Sequence, residues 1–316
     1  MEFKKPKFWD LKKPNFFAYL LLPLTIFVRI NNFSLNFSRK KQNQKIKSIC
    51  VGNIYLGGTG KTPSTIKIYN LIKKFGTNVV VGKKFYKSQV DEAIILKKQT
   101  ELILGKSRKE IIQKGEKNHN DVVIFDDGLQ DRNILYDLKI VCFDAVKYVG
   151  NNFLIPAGPL REKINSLKKY DCIFLKDGNI NKKKIIYPIK KINKKIKIFY
   201  TYFKIKNLEK FRKTSRYLVF SGIGNPDGFK QNLLKNKFNI VKEIIFPDHF
   251  NYSKRDIQKI KDQAKKLKAK IITTEKDFVK ISKVDQKNIN FLKVELMIKN
   301  EKDFIKFLKL KIYEKR

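Results

Sequence analysis

Short β-prone apolar runs alternate along the chain with segments in which apolar residues recur at helical spacing. This alternation predicts strand–helix units and a doubly wound parallel sheet, with ligands bound at the carboxyl ends of its strands. The predicted strands of this region cover residues 49–51, 78–82, 101–104, 122–125, 140–143 and 172–175.

A second and smaller α/β lobe is predicted beyond residue 213. Tyr217–Ser221 has the pattern of a strand, and the turn Gly222–Phe229 opens a helix. Ile271–Asp277 is interpreted as a strand that ends in charged residues. The predicted domains are therefore an N-terminal segment (1–40), a core domain (41–213) and a C-terminal lobe (214–316).

The N-terminal segment is basic and then apolar from Phe16 to Val28. As a helix this apolar stretch would span ~20 Å, short of the ~30 Å hydrocarbon core, and Pro23 interrupts it. We therefore expect a helix that lies in the membrane face, with lysines toward anionic headgroups. A buried core helix is the alternative, and no small-residue cleavage site of a signal peptide follows. The residues suited to the interface are Trp9, Phe16, Phe17 and Tyr19.

The amino-acid composition does not alter the predicted α/β architecture. The chain has 316 residues, 42% of them hydrophobic, and a net charge of +42. The lysines are spread from end to end, so the charge alone does not indicate a nucleic-acid surface. Cys50, Cys142 and Cys172 lie in apolar runs without metal-ligand spacing, which is typical of core residues in a reducing compartment.

The stretch Ser48–Thr62 predicts a phosphate-binding loop. A short apolar run gives way to a glycine-rich turn, Gly-Lys-Thr and a helix, so that backbone amides and the helix N-terminus can surround an anion. Lys61 would reach the β- and γ-phosphates, and the Thr62 hydroxyl would bind Mg²⁺. The strict motif requires glycine at Tyr55, and a tight turn without a ligand is the alternative.

Two further stretches add charged groups to the same edge of the predicted sheet. Asp126 and Asp127 end a buried strand, where phosphate-loop enzymes place a second Mg²⁺ ligand, although paired acids can also simply form a turn. Arg161 closes the Pro/Gly loop Leu154–Glu162 and could bind a phosphate with two hydrogen bonds. A surface ion pair with Glu162 is the alternative.

The motifs of the chain occur in one order: G-G-T-G-K-T-P, D-E-A, D-D-G-L-Q, P-A-G-P-L-R-E, G-I-G-N-P, P-D-H and T-T-E-K-D. In this order they resemble the tetraacyldisaccharide 4′-kinase family over nearly the whole chain, and that family's loop also departs from the strict pattern at Tyr55. The resemblance implies two α/β lobes with ATP and a sugar headgroup between them. It also implies ATP- and Mg²⁺-dependent phosphorylation of the 4′-hydroxyl of an acylated glucosamine disaccharide 1-phosphate, a step of lipid A biosynthesis. The partner would be this lipid, and the location the cytoplasmic face of the inner membrane beside anionic lipids.

The resemblance also implies roles for individual residues. Asp91 matches the family's proposed catalytic base and His249 the histidine that pairs with it. These two residues are expected on different lobes. The catalytic group is completed by Lys61 and Asp127, and the metal ligands are Thr62, Asp126 and Asp127. The predicted substrate contacts are Arg161 and Asn53, and the predicted ATP-binding residues are Tyr55, Leu56, Gly57, Gly58, Thr59, Gly60, Lys61 and Thr62. On residue type alone, Asp91 could be only a helix cap.

The chain departs from the family in three places. Only Lys83–Val90 precedes the D-E motif where the family has a longer Arg-Gly-Tyr segment, and Asp131 and Phe250 stand where histidine is common. These changes leave His249 as the plausible catalytic histidine, because His119 lies in a polar stretch. A phosphate-loop GTPase or ATPase that binds nucleic acid or a membrane surface is the alternative class. However, no N-K-x-D motif is present, no nucleic-acid partner is predicted, and a monomer is favoured.

Overall fold

The structure is a computed structural model that describes residues 5–34, 44–86, 89–131, 133–176, 178 and 182–313. These residues form strands β1 Lys47–Gly52, β2 Val79–Lys84, β3 Leu102–Gly105, β4 Val122–Asp126, β5 Leu138–Asp144, β6 Cys172–Lys176, β7 Lys197–Ile205, β8 Arg216–Ser221, β9 Asn239–Ile245, β10 Lys270–Thr274, β11 Ile289–Leu292 and β12 Val294–Ile298. The helices are α1 Phe16–Leu20, α2 Thr25–Ser34, α3 Lys61–Lys73, α4 Val90–Gln99, α5 Arg108–Lys117, α6 Lys183–Ile192, α7 Pro226–Lys235, α8 Lys254–Lys266, α9 Glu275–Phe278 and α10 Glu301–Tyr313.

The chain forms two compact units, each built from separated segments. The large unit comprises the described residues of Pro6–Phe85, Gln99–Tyr202 and Leu296–Arg316, and the small unit those of Met1–Lys5, Tyr86–Lys98 and Phe203–Glu295.

These units differ from the predicted division at 213/214 in two places. The C-terminal helix α10 lies in the large unit, where Phe304 stacks edge-on with Phe174 and Phe199. Most of α4 lies in the small unit, since Asp91 bonds to His249. The predicted boundary at 40/41 falls in residues 35–43, outside the described residues.

The eight-stranded sheet has the strand order β12-β7-β6-β5-β1-β4-β2-β3. Strand β1 is central, and both of its neighbours, β4 and β5, run parallel to it. In this register Val51 pairs with Asp126, so the end of β1 and the end of β4 lie side by side. A strand covered on both faces needs a continuous apolar run, and β1, β4 and β5 are buried over nearly their whole lengths.

The four-stranded sheet of the small unit has the order β11-β10-β8-β9, and its pairs are parallel. Side chains of β8 alternate between two apolar clusters, as the pleat of a strand requires. Tyr217 and Val219 pack with Leu233 of α7, whereas Leu218 and Phe220 pack with residues of α8 such as Ile257. Both faces of this sheet are therefore covered.

In the described part of the N-terminal segment, the apolar stretch forms two α-helices rather than one, because the chain turns between α1 and α2 at Pro23. Trp9 does not lie at an exposed interface, contrary to the prediction. Its ring is 1% exposed, and its Nε1 donates a hydrogen bond of 2.9 Å to the carbonyl of Pro156. The predicted Phe16, Phe17 and Tyr19 are exposed. No helix in the described part of the chain is both long and apolar enough to cross a bilayer.

The three cysteines are buried and have free thiols, as predicted for core residues. Burial raises the pKa of the Cys142 thiol to about 12. Such a thiol stays protonated at neutral pH and is a poor nucleophile.

Candidate active site

The loop between β1 and α3 is held in an open, anion-accepting shape by backbone conformations that favour glycine. Gly57 and Gly60 have φ angles of 137° and 90°, in the region that side chains rarely adopt. The Ser64 amide and hydroxyl both bond to the Gly60 carbonyl, which starts α3 directly after the loop. The N-terminus of α3 and the loop amides together suit a phosphate group.

Two residues predicted to contact ligands hold the loop itself. Asn53 is buried, and its Nδ2 donates to the Gly57 carbonyl (3.2 Å) and to the Thr59 hydroxyl (3.0 Å). Tyr55 is also buried, and its hydroxyl donates to the Asp10 carboxylate. The side chains of Asn53 and Tyr55 therefore brace the loop from behind.

Asp126, the last residue of β4, lies beneath the start of α3. Its buried carboxylate accepts hydrogen bonds from the Thr62 hydroxyl (3.1 Å) and the Thr65 hydroxyl (3.3 Å). It also pairs with the Lys83 ammonium at 3.0 Å, and these two side chains are 0% and 3% exposed. The predicted Thr62 and Asp126 are thus brought together.

Asp127 lies between two cations. Its carboxylate is 3.0 Å from the Lys61 Nζ and 3.0 Å from a guanidinium nitrogen of Arg161. Burial alone raises the pKa of Asp127, but the Lys61 and Arg161 charges outweigh burial and hold this pKa well below its ordinary value. Asp127 also has a φ of 63°, which is uncommon outside glycine and turns its side chain toward the loop.

Arg161 is presented by a loop that is bonded to the phosphate loop through the backbone. The Arg161 amide donates to the Ile54 carbonyl and the Leu56 amide to the Pro159 carbonyl, both at 2.8 Å. Its neighbour Glu162 is buried and accepts hydrogen bonds from Gln130 and Tyr170 instead. The ion pair of the Arg161 side chain is therefore with Asp127, and the alternative of a surface pair with Glu162 is wrong.

The oxygen donors at this site fit a magnesium ion. Thr62 offers a hydroxyl, and Asp126 and Asp127 offer carboxylates, the hard ligands that Mg²⁺ prefers. Among the described residues no group of three or more His, Cys, Asp or Glu side chains is placed to hold a metal. A Mg²⁺ ion held here would accordingly take its other ligands from phosphate oxygens and water, as is usual for this ion.

The second group of predicted residues lies in the small unit. His249 Nδ1 is 3.1 Å from both carboxylate oxygens of Asp91. Asp91 is in the first turn of α4, and His249 has a φ of 61° in the turn after β9. Burial raises the pKa of Asp91, but the hydrogen bond from His249 and the Lys276 charge outweigh burial and lower this pKa.

The expectation that Asp91 and His249 lie on different lobes is wrong, because both belong to the small unit. The physical reason is that α4 packs within the small unit, where Asp91 in its first turn contacts the turn that carries His249. The Asp91–His249 pair is therefore formed within one compact unit.

Three cationic side chains at the two groups were missed by the sequence reasoning. Lys83 pairs with Asp126, and Lys276 is 3.8 Å from Asp91. Arg108 bonds to the Asp131 carboxylate at 2.8 Å and to the carbonyl of Asp127. The available signals were the two lysines that end the otherwise apolar β2 and an acid at position 131.

Comparisons with known proteins give a consistent result. A family model described as "Tetraacyldisaccharide-1-P 4'-kinase" matches residues 17–313. The tetraacyldisaccharide 4'-kinase of Pelagibacter ubique is 44% identical over 315 residues and covers 100% of both chains, and that of Rickettsia canadensis is 38% identical over 93% of both. The solved structure of "apo" form LpxK from Aquifex aeolicus in complex with ATP has a TM-score of 0.69 at 21% identity, covering 94% of this chain and 99% of the other. This last likeness confirms the predicted α/β phosphate-loop fold.

Proposed function

We propose that this chain, which belongs to the tetraacyldisaccharide-1-P 4′-kinase family, transfers the γ-phosphoryl group of ATP to the 4′-hydroxyl of a tetraacylated glucosamine disaccharide 1-phosphate. The product is the bis-phosphorylated precursor of lipid A. A nucleic-acid-binding GTPase or ATPase is not favoured, because the family model and relatives that match the full chain are those of a kinase.

The observation that supports this proposal most directly is the cation pair around Asp127. Lys61 and Arg161 each lie 3.0 Å from one carboxylate, directly beside a glycine-rich loop and a helix N-terminus. Phosphoryl transfer needs charge neutralisation and in-line positioning more than covalent chemistry. The Lys61 ammonium, the Arg161 guanidinium and the loop amides supply that neutralisation.

Thr62, Asp126 and Asp127 are the proposed metal ligands. A Mg²⁺ ion held by these three residues would supply positive charge against the phosphate oxygens. Asp126 is fixed in advance by Thr65 and Lys83, so its carboxylate is oriented before a metal arrives. Asn53 and Tyr55 keep the loop in shape, and their proposed contribution to ligand binding comes through the loop they brace.

Asp91 is the proposed general base. A sugar hydroxyl is a weak nucleophile, and a positioned carboxylate that accepts its proton makes the oxygen a better one. The lowered pKa of Asp91 keeps this carboxylate ionised and ready to accept a proton at neutral pH. His249 donates to Asp91 and holds it in orientation.

The proposed location is the cytoplasmic face of the inner membrane, where α1 and α2 rest on the lipid surface. The side chains of Phe16 and Phe27 are 75% and 69% exposed, and their apolar neighbours Phe17, Leu20 and Ile30 are exposed as well. Aromatic and aliphatic side chains on a helix next to basic residues suit the boundary between headgroups and acyl chains. Asn32 joins α2 to the Arg161 carbonyl at 3.0 Å, which ties this surface to the loop that carries Arg161.

The test is transfer of ³²P from [γ-³²P]ATP to a tetraacylated disaccharide 1-phosphate in mixed micelles, followed by chromatography of the lipid. We expect Mg²⁺-dependent labelling that is lost when the 4′-hydroxyl of the acceptor is methylated. Labelling of the methylated acceptor would contradict the assignment of the 4′-position. Absence of any lipid labelling, with folded protein and bound ATP, would contradict the proposed function as a whole.

A further inference from the structure

The T-T-E-K-D stretch forms a cap that aims a lysine at His249. Thr274 ends β10 and caps α9, where its hydroxyl and the Asp277 carboxylate bond to one another at 2.7 Å. Asp277 is fully buried and also accepts hydrogen bonds from the Gly222 amide (3.0 Å) and the Tyr252 hydroxyl (2.9 Å). With Asp277 fixed on several sides, the adjacent Lys276 leaves the first turn of α9 in a defined direction. The charged end of the predicted 271–277 strand is therefore the start of a short helix.

A contact of Lys276 determines which ring nitrogen of His249 carries the proton. Its Nζ is 3.2 Å from His249 Nε2, 3.1 Å from an Asp248 oxygen and 3.5 Å from a Glu92 oxygen. An ammonium group only donates hydrogen bonds, so Nε2 must offer its lone pair to accept one. The single ring proton of His249 is then on Nδ1, which faces Asp91 at 3.1 Å.

From this geometry we infer that Lys276 is a positioning residue that fixes His249 as the neutral Nδ1–H tautomer and thereby leaves Asp91 as the sole proton acceptor of the pair. The inference deepens the proposed function and rests on it. It assigns His249 the role of orienting the Asp91 carboxylate rather than sharing the proton.

The charges around the imidazole explain why a cation is needed there. Carboxylates of Asp91, Glu92 and Asp248 lie 3.1, 3.9 and 3.9 Å from the ring nitrogens of His249. Three carboxylates favour a protonated imidazolium, which would bind Asp91 as an ion pair and make it a weaker base.

Lys276 opposes this protonation. Burial lowers its pKa, but Asp248, Glu92 and Asp91 outweigh burial and raise it above the ordinary value, so the ammonium stays charged. Lys280 adds a second cation 3.9 Å from Asp91, and it bonds to Asp277 at 2.8 Å.

This tautomer determines which atom accepts the proton in the proposed reaction. The acceptor O–H bond breaks and its proton moves to an Asp91 carboxylate oxygen while the acceptor oxygen bonds to the γ-phosphorus. The bond from the γ-phosphorus to the bridging oxygen breaks, and ADP leaves with that electron pair. His249 Nδ1 keeps its proton throughout, and Nε2 cannot take the proton while Lys276 occupies its lone pair.

The tautomer can be observed without substrate. The chain has two histidines, so in a uniformly ¹⁵N-labelled His119→Asn variant every imidazole signal belongs to His249. Asparagine tolerates the φ of 54° at position 119. We expect long-range ¹H–¹⁵N spectra at neutral pH to show a protonated Nδ1 and an unprotonated Nε2. A protonated Nε2 at this pH would overturn the inference.

Three variants in this background test the role of Lys276. Lys276→Met removes the donor that faces Nε2, so Nε2 should carry a proton in the neutral-pH spectrum, and the acid limb of the kcat/KM profile should move upward. Lys276→Arg keeps a charged donor and should restore the tautomer. Lys280→Met is the matched control, because it removes the neighbouring cation, which bonds to Asp277 rather than to His249, and should leave Nε2 unprotonated. An unprotonated Nε2 together with an unchanged profile in folded Lys276→Met would overturn the inference.

The two readouts separate this inference from the proposed function. If lipid labelling succeeds but Nε2 carries the proton, the kinase assignment stands and the role of Lys276 is wrong. If the spectra show the Nδ1–H tautomer but lipid labelling fails, the proposed function is wrong, and the inference that depends on it falls too. Should Lys276→Met fail to fold, the spectrum of the Lys276→Arg variant and of the His119→Asn background still decide the tautomer.

Discussion

The group around Asp127 and the group around His249 differ in their balance of charged side chains. Cations outnumber carboxylates around Asp127, whereas carboxylates outnumber cations around His249. Two cations, Lys61 and Arg161, surround the one carboxylate of Asp127. In the small unit, the carboxylates of Asp91, Glu92 and Asp248 surround His249, with Lys276 against Nε2.

This difference in charge indicates which ligand or proton each group is suited to bind. Excess cationic charge suits a polyanion such as a triphosphate, and the Asp127 carboxylate holds the Lys61 and Arg161 side chains beside the phosphate loop. Excess carboxylate suits the acceptance of a proton, provided that His249 does not take it. Lys276 prevents that protonation.

Removal of the Lys61 charge should have the largest effect. We expect Lys61→Ala to lower kcat by ~10³-fold or more, since a cation aimed at transferring phosphate stabilises the transition state more than the ground state. The measurement is lipid labelling at saturating ATP. Lys73→Ala removes an exposed lysine of the same helix and should keep full activity. Near-normal turnover of Lys61→Ala would contradict the proposal that Lys61 neutralises charge on the transferring phosphate.

Asp91→Asn should lower kcat by ~10²–10⁴-fold with ATP binding little changed, because the amide keeps the shape but cannot accept the proton. His249→Ala should cost less, and the double variant should be no slower than Asp91→Asn, since groups that act as a unit are not additive. Glu209→Gln, at an exposed acid elsewhere in the small unit, is the control and should keep full activity. Effects that multiply in the double variant would mean that Asp91 and His249 act independently.

Asp126→Asn should weaken the Mg²⁺ dependence and also destabilise the fold. The buried Lys83 would lose its ion pair with Asp126, and breaking a buried pair on one side costs ~3–5 kcal/mol. Lys83→Met/Asp126→Asn should recover most of that stability, measured by urea unfolding, without recovering the Mg²⁺ response of transfer. An unchanged Mg²⁺ titration in both variants would contradict the metal assignment.

The depressed pKa of Asp127 predicts a pH dependence of stability. The unfolded carboxyl titrates near ~3.9 and the folded one well below it, so the contribution of Asp127 is fully present above that pH and is lost as the pH falls. The difference in unfolding free energy between the wild type and Asp127→Asn should therefore shrink between pH ~6 and ~3. A difference that grows as the pH falls would mean that Lys61 and Arg161 do not stabilise the Asp127 carboxylate.

The smallest effect is expected at the exposed helices. Phe16→Ser/Phe27→Ser should weaken binding to anionic vesicles by at least about tenfold and raise KM for the lipid more than KM for ATP, since full burial of even one phenylalanine is worth ~1.5–3 kcal/mol. The double variant should have the same unfolding temperature as the wild type, because both phenylalanine rings are exposed. Tyr187→Ser, on an equally exposed aromatic of α6, should change neither quantity. Unchanged vesicle binding in the double variant would place the membrane contact elsewhere.

Local signals were sufficient for strands β1–β6 of the large sheet and for the phosphate loop. A continuous apolar run followed by glycines and Lys-Thr specifies a strand, a turn and a helix within a few residues, so β1 and α3 follow from propensity and backbone freedom alone. Asp126 and Asp127 were found for the same reason, since they end a strand that is identifiable by itself.

Side chains that form pairs across the fold could not be found this way. The sequence separation between Lys83 and Asp126 is 43 residues, and between Asp91 and His249 it is 158. No local pattern distinguishes Lys276 from the many other lysines of this chain, because its role depends on the cap at Thr274 and Asp277.

By itself, the sequence determined the phosphate loop, the order of strands β1–β6, and the family to which the motifs belong. The tertiary structure alone decided that Asp91 and His249 share the small unit, that α10 joins the large one, and that Trp9 is core rather than interface. The physical reason is range. Backbone preferences act over a few residues, whereas an ion pair or a buried ring acquires its partner only when distant segments pack together and exclude water.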